Sequence, residues 1–291
     1  MMLVSVFPDG HLVLLRRHAD NTAGTEHRSR YHIPSHEELT AEGVELPSDL
    51  WEFGKRGDDS VAGVFIEHAR LEHLLARTRM RGDGVSFEIV GRRQAADLLD
   101  IDDYWAMNRA FHLADWDRSS RFCGTCAGPM ERDTEDVAKV CPSCGKRIFP
   151  TISPAVIVAI VKEGSLLMAH SRRHPAKLFS VLAGFVEAGE TLEHAVSREV
   201  FEEAGILVRN VSYFSSQPWP YPNSLMIAFT AEYAGGDLLP DPDEIDEIGW
   251  YAPAEIPTEV PSTFSVARRL IEWFVSEYGT AEDLQRLLSA E

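Results

Sequence analysis

Apolar residues follow strand-like spacing through much of the second half of the chain. Residues 154–161 (PAVIVAIV) form an almost continuous apolar run, which predicts a buried strand, and residues 165–171 follow across the turn KEG as its hairpin partner. Residues 179–185 lead into a loop, and three more strands are predicted over 206–219, 223–235 and 247–253. Residues 264–275 have helical spacing and predict an amphipathic helix, with these core-facing positions: Phe264, Ala267, Leu270, Ile271 and Phe274.

The first 118 residues predict a domain of mixed α/β character. Residues 3–7 and 11–17 flank the turn FPDG and predict a hairpin. Strands are expected within 61–69 and 84–91, a short helix over 92–100, and a longer helix over 103–118. The polar segment Asn21 to Pro47 is expected to be loop-rich, and no catalytic constellation is visible in this part of the chain.

The four cysteines follow the spacing C-x2-C-x14-C-x2-C, at Cys123, Cys126, Cys141 and Cys144. Four thiolates in two tight knuckles suit one Zn²⁺ in a closed structural site, and Gly124 and Gly145 would ease the turns. Two disulfides are the alternative, which a chain without a signal peptide disfavours. The sequence therefore predicts a zinc ribbon over 119–150 that divides the first domain from a third, over 151–291. Its acidic ERDTEDVAK segment favours a structural role over nucleic-acid binding.

The densest pattern is a 23-residue stretch, Gly184 to Ile206, reading GFVEAGETLEHAVSREVFEEAGI. Thr191 is a good N-cap and Gly205 a good C-cap for a helix between them. On this helix three glutamates fall on the same face as the apolar residues, within an arc of roughly 100°. Because three like charges at this spacing repel one another, a cation-binding site is favoured over a purely solvated helix face. Oxygen ligands favour Mg²⁺ or Mn²⁺ as that cation. The three are Glu199, Glu202 and Glu203.

Two further features of this stretch concern the residues around those glutamates. Arg198 precedes Glu202 by four positions and can neutralise and orient a carboxylate. Gly184 and Gly189 let the preceding loop turn back, which would bring Glu190 and backbone carbonyls toward the metal ions.

The whole stretch fits G-x5-E-x7-R-E-U-x-E-E-x-G-U (U apolar) and resembles the Nudix box of the Nudix hydrolases. Residues 216–224 (SQPWPYPNS), taken alone, could be a rigid surface turn or an aromatic wall of a pocket for flat rings. With the zinc ribbon and the box, they resemble the NADH pyrophosphatases, whose signature reads SQPWPFPxS. Tyr221 replaces the Phe, and the similarity covers residues from about 105 to 277.

This resemblance implies an α+β chain: a Nudix α/β/α sandwich with a mixed sheet, preceded by the zinc ribbon and the mixed α/β domain. It implies hydrolysis of NAD(H) to AMP and nicotinamide mononucleotide (NMN or NMNH) by a homodimer. Two or three Mg²⁺ or Mn²⁺ ions per site and one structural Zn²⁺ per chain are expected. Bacterial members also remove NAD caps from RNA 5′ ends, so capped RNA as the main substrate stays open. ADP-ribose or dinucleoside polyphosphate hydrolysis is a further alternative, and a non-catalytic nucleotide sensor is disfavoured by the complete box.

The resemblance also implies roles for individual residues. Glu199 and Glu203 would be the principal metal ligands, with Glu202 in support and the Ala183 carbonyl completing the site. Glu190 would orient Arg198 or an outer-shell water, and Glu244 would reach the metals from outside the box; Glu203 or Glu244 would be the general base. Phe185 would stack on a base, and the expected pocket residues are Gln217, Trp219, Ala267 and Ile157. Phe149 would approach the partner's site, although Phe149-Pro150-Thr151 lacks the hydroxyl and arginine of the family's Tyr-Pro-Arg.

Charge and hydropathy narrow the expected partners. The net charge of −18 argues against broad electrostatic capture of nucleic acid. A local basic patch could form at Arg172, Arg173, His174 and Lys177; the alternative is that these residues belong to an exposed, solvated loop. No apolar run approaches the ~18 residues that cross a bilayer, and Pro8, Asp9 and Gly10 interrupt the N-terminal apolar segment. We therefore expect a cytoplasmic protein without a membrane partner.

Overall fold

The structure is a computed structural model that describes residues 1–17, 31–81, 86–172 and 177–289. It divides into two compact units, Met1–Thr151 and Ile152–Glu291.

The first unit is built on a mixed sheet. Its elements in chain order are β1 (Met2–Phe7), β2 (Leu12–Arg17), β3 (Tyr31–His32), α1 (His36–Ala41), β4 (Glu52–Arg56), β5 (Asp59–Phe65), α2 (His68–Arg81), β6 (Ser86–Gly91) and α3 (Ile101–Ser119). The strand order is β3-β2-β1-β5-β4, with β6 also paired to β2. The predicted hairpin is confirmed, because β1 and β2 pair antiparallel, while β1 and β5 pair parallel.

Helix α3 packs on this sheet through an aromatic cluster. The Phe7 ring lies 5.2 Å from the Phe111 ring and 5.7 Å from the Phe65 ring. The predicted helix over 103–118 is therefore confirmed, and the short helix expected over 92–100 is a 3-10 turn, Gln94–Asp97.

Of the segment Asn21–Pro47, expected to be loop-rich, residues 21–30 lie outside the described residues, and the rest holds a two-residue strand and a helix among its loops. Helix α1 lies within it, and a capping box joins Ser35 and Glu38. The helix has only six residues and buries only Leu39, so it is too short to show a periodic pattern. The capping residues, and not an apolar face, are therefore the feature of the sequence that indicates this helix.

Three two-residue strands complete the first unit and frame the cysteines. They are β7 (Glu131–Arg132), β8 (Lys139–Val140) and β9 (Arg147–Ile148), and they pair antiparallel in the order β7-β8-β9.

The second unit is a seven-stranded mixed sheet. Its elements are β10 (Ser153–Lys162), β11 (Ser165–Ser171), β12 (Phe179–Ser180), β13 (Leu182–Phe185), α4 (Leu192–Ala204), β14 (Leu207–Trp219), β15 (Ser224–Gly235), β16 (Ile245–Tyr251), α5 (Val266–Tyr278) and α6 (Ala281–Leu288). The strand order is β12-β11-β10-β15-β14, with β13 paired to β10 and β16 to β11. Strands β10 and β15 are parallel, whereas β10 and β11 are antiparallel, as the predicted hairpin requires.

The residues of β10 show why its sequence is apolar almost throughout. Val156, Val158 and Ile160 belong to the core cluster that includes Val196 and Val200 of α4. Alternate residues of the same strand, Ile157, Ala159 and Val161, belong to a second cluster with Leu270, Ile271 and Phe274 of α5. The strand is thus covered by a helix on each face, and the predicted α/β/α sandwich is confirmed.

The C-terminal helices differ partly from the expectation. Helix α5 begins at Val266 behind the N-cap Ser265, two residues after the start of the predicted pattern. Helix α6 was not predicted, although Thr280 and Asp283 form a capping box at its start. Among the helices that the structure describes, none combines the length and apolar character needed to cross a membrane.

Candidate active site and zinc site

Helix α4 places two glutamates at the edge of the core and a third in solvent. The helix starts where the Thr191 hydroxyl accepts a hydrogen bond from the His194 amide at 3.3 Å, and it ends at Gly205 with φ of 73°. Glu199 and Glu203 are half-buried, whereas the side chain of Glu202 is 58% exposed. The expected common face therefore holds for the first two, and Glu202 lies on its solvent side.

Gly184 allows strand β13 to approach Glu199. A Cβ atom at position 184 would lie 1.9 Å from the Glu199 Cδ and within 2.2 Å of both carboxylate oxygens. No side chain can occupy that space, so the approach requires glycine.

Arg198 links the loop and the helix. Its Nε and Nη2 atoms donate to the two carboxylate oxygens of Glu190 at 2.7 and 2.9 Å. Its Nη1 atom donates to Glu199 at 2.9 Å and to Glu202 at 3.0 Å, and Nη2 also donates to the Phe185 carbonyl at 2.9 Å. One guanidinium thus orients three carboxylates through a planar donor array.

The pKa shifts separate the two kinds of glutamate in this network. The hydrogen bond from Arg198, followed by that from the Glu187 amide, lowers the pKa of Glu190 to about 2. Burial raises the pKa of Glu199, and the charges of Glu202 and Glu244 raise it further, against the opposing effect of Arg198. The Glu190 carboxylate therefore has its hydrogen-bond donors within the protein, whereas a bound cation would stabilise the charged form of Glu199.

A cavity of about 540 Å³ brings together six of the predicted site residues: Ala183, Phe185, Glu199, Glu203, Trp219 and Glu244. Its acidic lining residues are Glu187, Glu199, Glu203 and Glu244, and its other lining residues are Ala155, Ala169, Ser171, Leu178, Ser180, Val181, Leu182, Ala183, Gly184, Phe185, Trp219, Tyr221, Ser224, Met226 and Ile245. The volume lies within the usual range for small-molecule sites, about 300–1,000 Å³. Carboxylate oxygens are ligands that Mg²⁺ and Mn²⁺ prefer, so the four acidic lining residues fit divalent cations.

Three expected pocket residues lie outside this lining. The Gln217 side chain is buried; its Nε2 donates to the Phe264 carbonyl at 2.5 Å, and its Oε1 accepts from the Val266 amide at 2.6 Å. Gln217 thereby holds the start of α5. Ala267 and Ile157 are almost fully buried in the core cluster on the α5 side of the sheet.

The SQPWPYPNS segment is both a turn and an aromatic wall of the cavity, which were the two alternatives for it. Its first residues end β14, a turn follows, and Ser224 begins β15, so the segment is a hairpin end. The Trp219 and Tyr221 rings, with centroids 5.2 Å apart, also line the cavity. Tyr221 and Glu187 were not among the predicted site residues. The aromatic motif could have indicated Tyr221, whereas Glu187 falls at a variable box position.

The four cysteines form a compact cluster. Their Sγ atoms all lie within 4.8 Å of one another, with 3.6 Å between Cys123 and Cys144 and 3.5 Å between Cys126 and Cys141. Sulfurs bound tetrahedrally at about 2.3 Å from one zinc would be about 3.8 Å apart. Hydrogen bonds from the Thr125 and Cys126 amides lower the pKa of Cys123 to about 6, whereas the hydrogen bond with Cys126, against the lowering effect of the Lys146 amide, raises the pKa of Cys144 to about 12. The cluster fits one structural Zn²⁺.

The knuckle turns correct one detail of the prediction. The left-handed residue four positions after the first cysteine of each pair is Ala127 (φ 59°) in one knuckle and Gly145 (φ 73°) in the other. Gly124 does not have a positive φ, so the first turn does not depend on its conformational freedom.

Comparison with known proteins agrees with this geometry. Residues 151–274 match the model of the NUDIX domain, and residues 118–149 match the model of the NADH pyrophosphatase zinc ribbon domain. A protein named NAD-capped RNA hydrolase NudC from Deinococcus radiodurans is 46% identical over 189 residues, covering 64% of this chain and 67% of its own. This chain belongs to the zinc-ribbon Nudix hydrolase family.

A second relative and one solved structure are also similar to this chain. A protein named NAD-capped RNA hydrolase NudC from Salmonella schwarzengrund is 51% identical over 180 residues, covering 62% of this chain and 69% of its own. The crystal structure of a NUDIX hydrolase from Nitrosomonas europaea covers 53% of this chain and 90% of its own, with a TM-score of 0.46 and 22% identity. The resemblance predicted from the sequence is confirmed by the two domain matches and the curated relatives.

Two predicted surface features of this Nudix hydrolase are not among the residues that line the cavity. Phe149, in the first unit, is 57% exposed, and its approach to a partner's site stays a prediction. In the basic segment, Arg172 pairs with Asp246 at 3.0 Å and Lys177 with Glu247 at 3.1 Å, so acids of β16 neutralise both cations. Arg173 and His174 lie outside the described residues.

Proposed function

We propose that this Nudix hydrolase cleaves the pyrophosphate bond of NAD(H), giving AMP and NMN or NMNH, with Mg²⁺ or Mn²⁺. The supporting observation is the shared cavity, where Glu199, Glu203 and Glu244 lie beside the aromatic side chains of Phe185 and Trp219. Acids suited to cations and rings suited to stacking thus line one space large enough for a nucleotide. The names of the curated relatives support the same substrate class.

In this proposal the residues divide between holding cations and holding the substrate. Glu199, Glu203, Glu244 and the Ala183 carbonyl would hold two or three divalent cations, with Glu202 in support. The bound cations would neutralise charge on the pyrophosphate and lower the pKa of the attacking water. Glu203 or Glu244 would accept the proton of that water, whose oxygen bonds to one phosphorus while the bridging oxygen leaves with the other phosphate.

The remaining residues would fix geometry. Arg198 holds Glu199, and Glu190 holds Arg198, so the carboxylate is oriented before a cation arrives. Phe185, Trp219 and Tyr221 would stack on the flat rings of the dinucleotide.

Capped RNA is the second candidate substrate, because the curated relatives are named NAD-capped RNA hydrolases and one pocket could accept the NAD moiety of either molecule. The net charge of −18 counts against tight binding of the RNA body. Measuring kcat/KM for NADH, NAD-capped RNA and ADP-ribose at matched salt tests the proposal. NADH or capped RNA should be preferred, and a clear preference for ADP-ribose would contradict the proposed pocket.

The resemblance further supports a homodimer and a cytoplasmic location, and both stay proposals. Phe149 would approach the partner's site in that dimer. Light scattering at micromolar concentration should give twice the 32.5 kDa chain mass, and a monomer would contradict the dimer.

A further inference from the structure

Glu244 reaches the cavity in a different way from Glu199 and Glu203. Those two are on a 13-residue helix, α4, whereas Glu244 ends the irregular segment between β15 and β16. A carboxylate on such a segment needs contacts that define where it points. The structure supplies these contacts on two sides.

The first anchor is the C-terminal end of α4. The Leu239 amide donates to the Ala204 carbonyl at 2.9 Å, and the Asp241 amide donates to the Glu203 carbonyl at 3.1 Å. Asp241 then folds the chain tightly, because its carboxylate accepts from the Asp243 amide at 2.8 Å and its carbonyl from the Ile245 amide at 2.9 Å. The turn that carries Glu244 is thus attached to the backbone of another cavity glutamate.

The second anchor is Arg172, directly after β11. Its amide donates to the Glu244 carbonyl at 2.9 Å. Its guanidinium donates through Nη1 to the Pro242 carbonyl at 2.8 Å and through Nε to Asp246 at 3.0 Å. Arg172 therefore contacts the residues two before and two after Glu244 as well as Glu244 itself.

A register shift explains why Asp246 is available to Arg172. In the β11–β16 pairing, His170 lies opposite Glu247, but the next residue, Ser171, lies opposite Ile245. Asp246 is the extra residue of a β-bulge, and bulges re-aim side chains at the ends of strands. The guanidinium holds this bulge on one side and the Glu244 turn on the other.

We propose that Arg172 is a positioning residue that aims Glu244 into the cavity and thereby sets the affinity of the site for its divalent cation. Arg172 is 58% exposed and is not among the residues that line the cavity, so it acts through Glu244 and not on the substrate. This inference rests on the proposed metal role of Glu244.

The test measures Mn²⁺ binding to the zinc-loaded full-length protein by isothermal titration calorimetry, without substrate. Arg172→Ala should weaken Mn²⁺ binding about 10-fold, as the loss of an outer-shell partner does at metal sites. Arg172→Lys should weaken it as well, because an ammonium cannot span the Pro242 carbonyl and the Asp246 carboxylate in a fixed fork.

A matched control is Arg209→Ala. Arg209 pairs with Glu232 at 3.1 Å across β14 and β15, with a side chain 65% exposed, so the geometry and exposure resemble those of the Arg172–Asp246 pair. This variant should leave Mn²⁺ binding unchanged, since it removes one positive charge without touching the Glu244 turn.

A double-mutant cycle tests the route through Glu244. In the Glu244→Gln background, Arg172→Ala should cause no further loss of Mn²⁺ affinity, because the carboxylate that it positions is gone. An equal further loss would overturn the inference, as would wild-type affinity in Arg172→Ala or in Glu244→Gln alone. NADH turnover by the wild-type protein is measured in parallel, since its absence contradicts the proposed function and leaves the binding cycle interpretable.

Discussion

The two regions that we propose to bind metal ions are assembled differently. The thiolates of the ribbon come from two local turns, and all four sulfurs lie within 4.8 Å of one another. Within the described part of the chain, the cavity carboxylates form no cluster of that compactness, and they come from the loop before α4, from α4 itself and from a turn about 40 residues later. A closed thiolate cluster suits a structural ion, whereas spread carboxylates leave space for a substrate between them and the cations.

The largest effect should follow from removing one cysteine of the four-cysteine zinc site. Cys141→Ser removes a buried ligand from a cluster whose zinc-binding free energy contributes to folding. We expect zinc content, measured by atomic absorption, to fall well below one ion per chain, and the melting temperature to fall on the order of 10 °C. Ser143→Ala in the same knuckle is the control and should keep its zinc. Full zinc content in Cys141→Ser would contradict the structural assignment.

The next largest effect should come from the cavity carboxylates, whose replacement should lower activity without loss of stability. Glu203→Gln keeps the shape of the side chain but removes a charge that would hold cations or accept a proton. We expect kcat for NADH to fall about 10²–10⁴-fold, with little change in melting temperature. Glu202→Gln should cost less, because that side chain is exposed and outside the cavity lining. A near-normal rate in Glu203→Gln would remove this glutamate from the mechanism.

A methyl group at position 184 should also impair the cavity that the carboxylates line. In Gly184→Ala the new Cβ would overlap the Glu199 carboxylate, so the two elements must separate. A displacement of about 1 Å can cost roughly 10²-fold in rate, and we expect a loss of that order in NADH turnover. Gly10→Ala is the control, since no atom lies within 4 Å of its added Cβ. Equal activity of the two variants would show that the close approach is unnecessary.

The smallest predicted effect concerns stability and pH. The pKa of Glu199 is raised, so ionising this carboxyl at neutral pH costs folding free energy when no cation is bound. In zinc-loaded protein prepared without Mg²⁺ or Mn²⁺, Glu199→Gln should therefore raise the melting temperature slightly at pH 7. The gain should shrink as pH falls through the raised pKa, because the wild-type carboxyl is then protonated. A lower melting temperature for this variant at pH 7 would contradict that sign.

The sequence predicted the elements whose signals are local. Thr191 and Gly205 cap α4 as expected, and β10 reads as apolar because helices cover both of its faces. The cysteine spacing likewise predicted the sulfur cluster. Helix α2 was not predicted, although its buried residues Leu71, Leu74 and Thr78 have the i, i+3, i+7 spacing of a helix; its first residues were assigned to a strand.

The unpredicted parts of the site depend on contacts between residues distant in sequence. Gln217 hydrogen-bonds backbone groups 47 and 49 residues away, so its burial follows from the packing of α5 and not from its own neighbours. The bulge at Asp246 depends on the register between β11 and β16. For the same reason, the Arg172 clamp on Glu244 is visible only in the folded chain.

The most direct test of the central claim is product analysis by mass spectrometry. The zinc-loaded protein is incubated with NADH and Mn²⁺ in water enriched in ¹⁸O. We predict AMP and NMNH as the two products, with a single ¹⁸O atom in one of the two phosphates and no turnover when Mn²⁺ is omitted. Cleavage at another bond, or no turnover of NADH with Mn²⁺ present, would contradict the assignment of this cavity as an NAD(H) pyrophosphatase site.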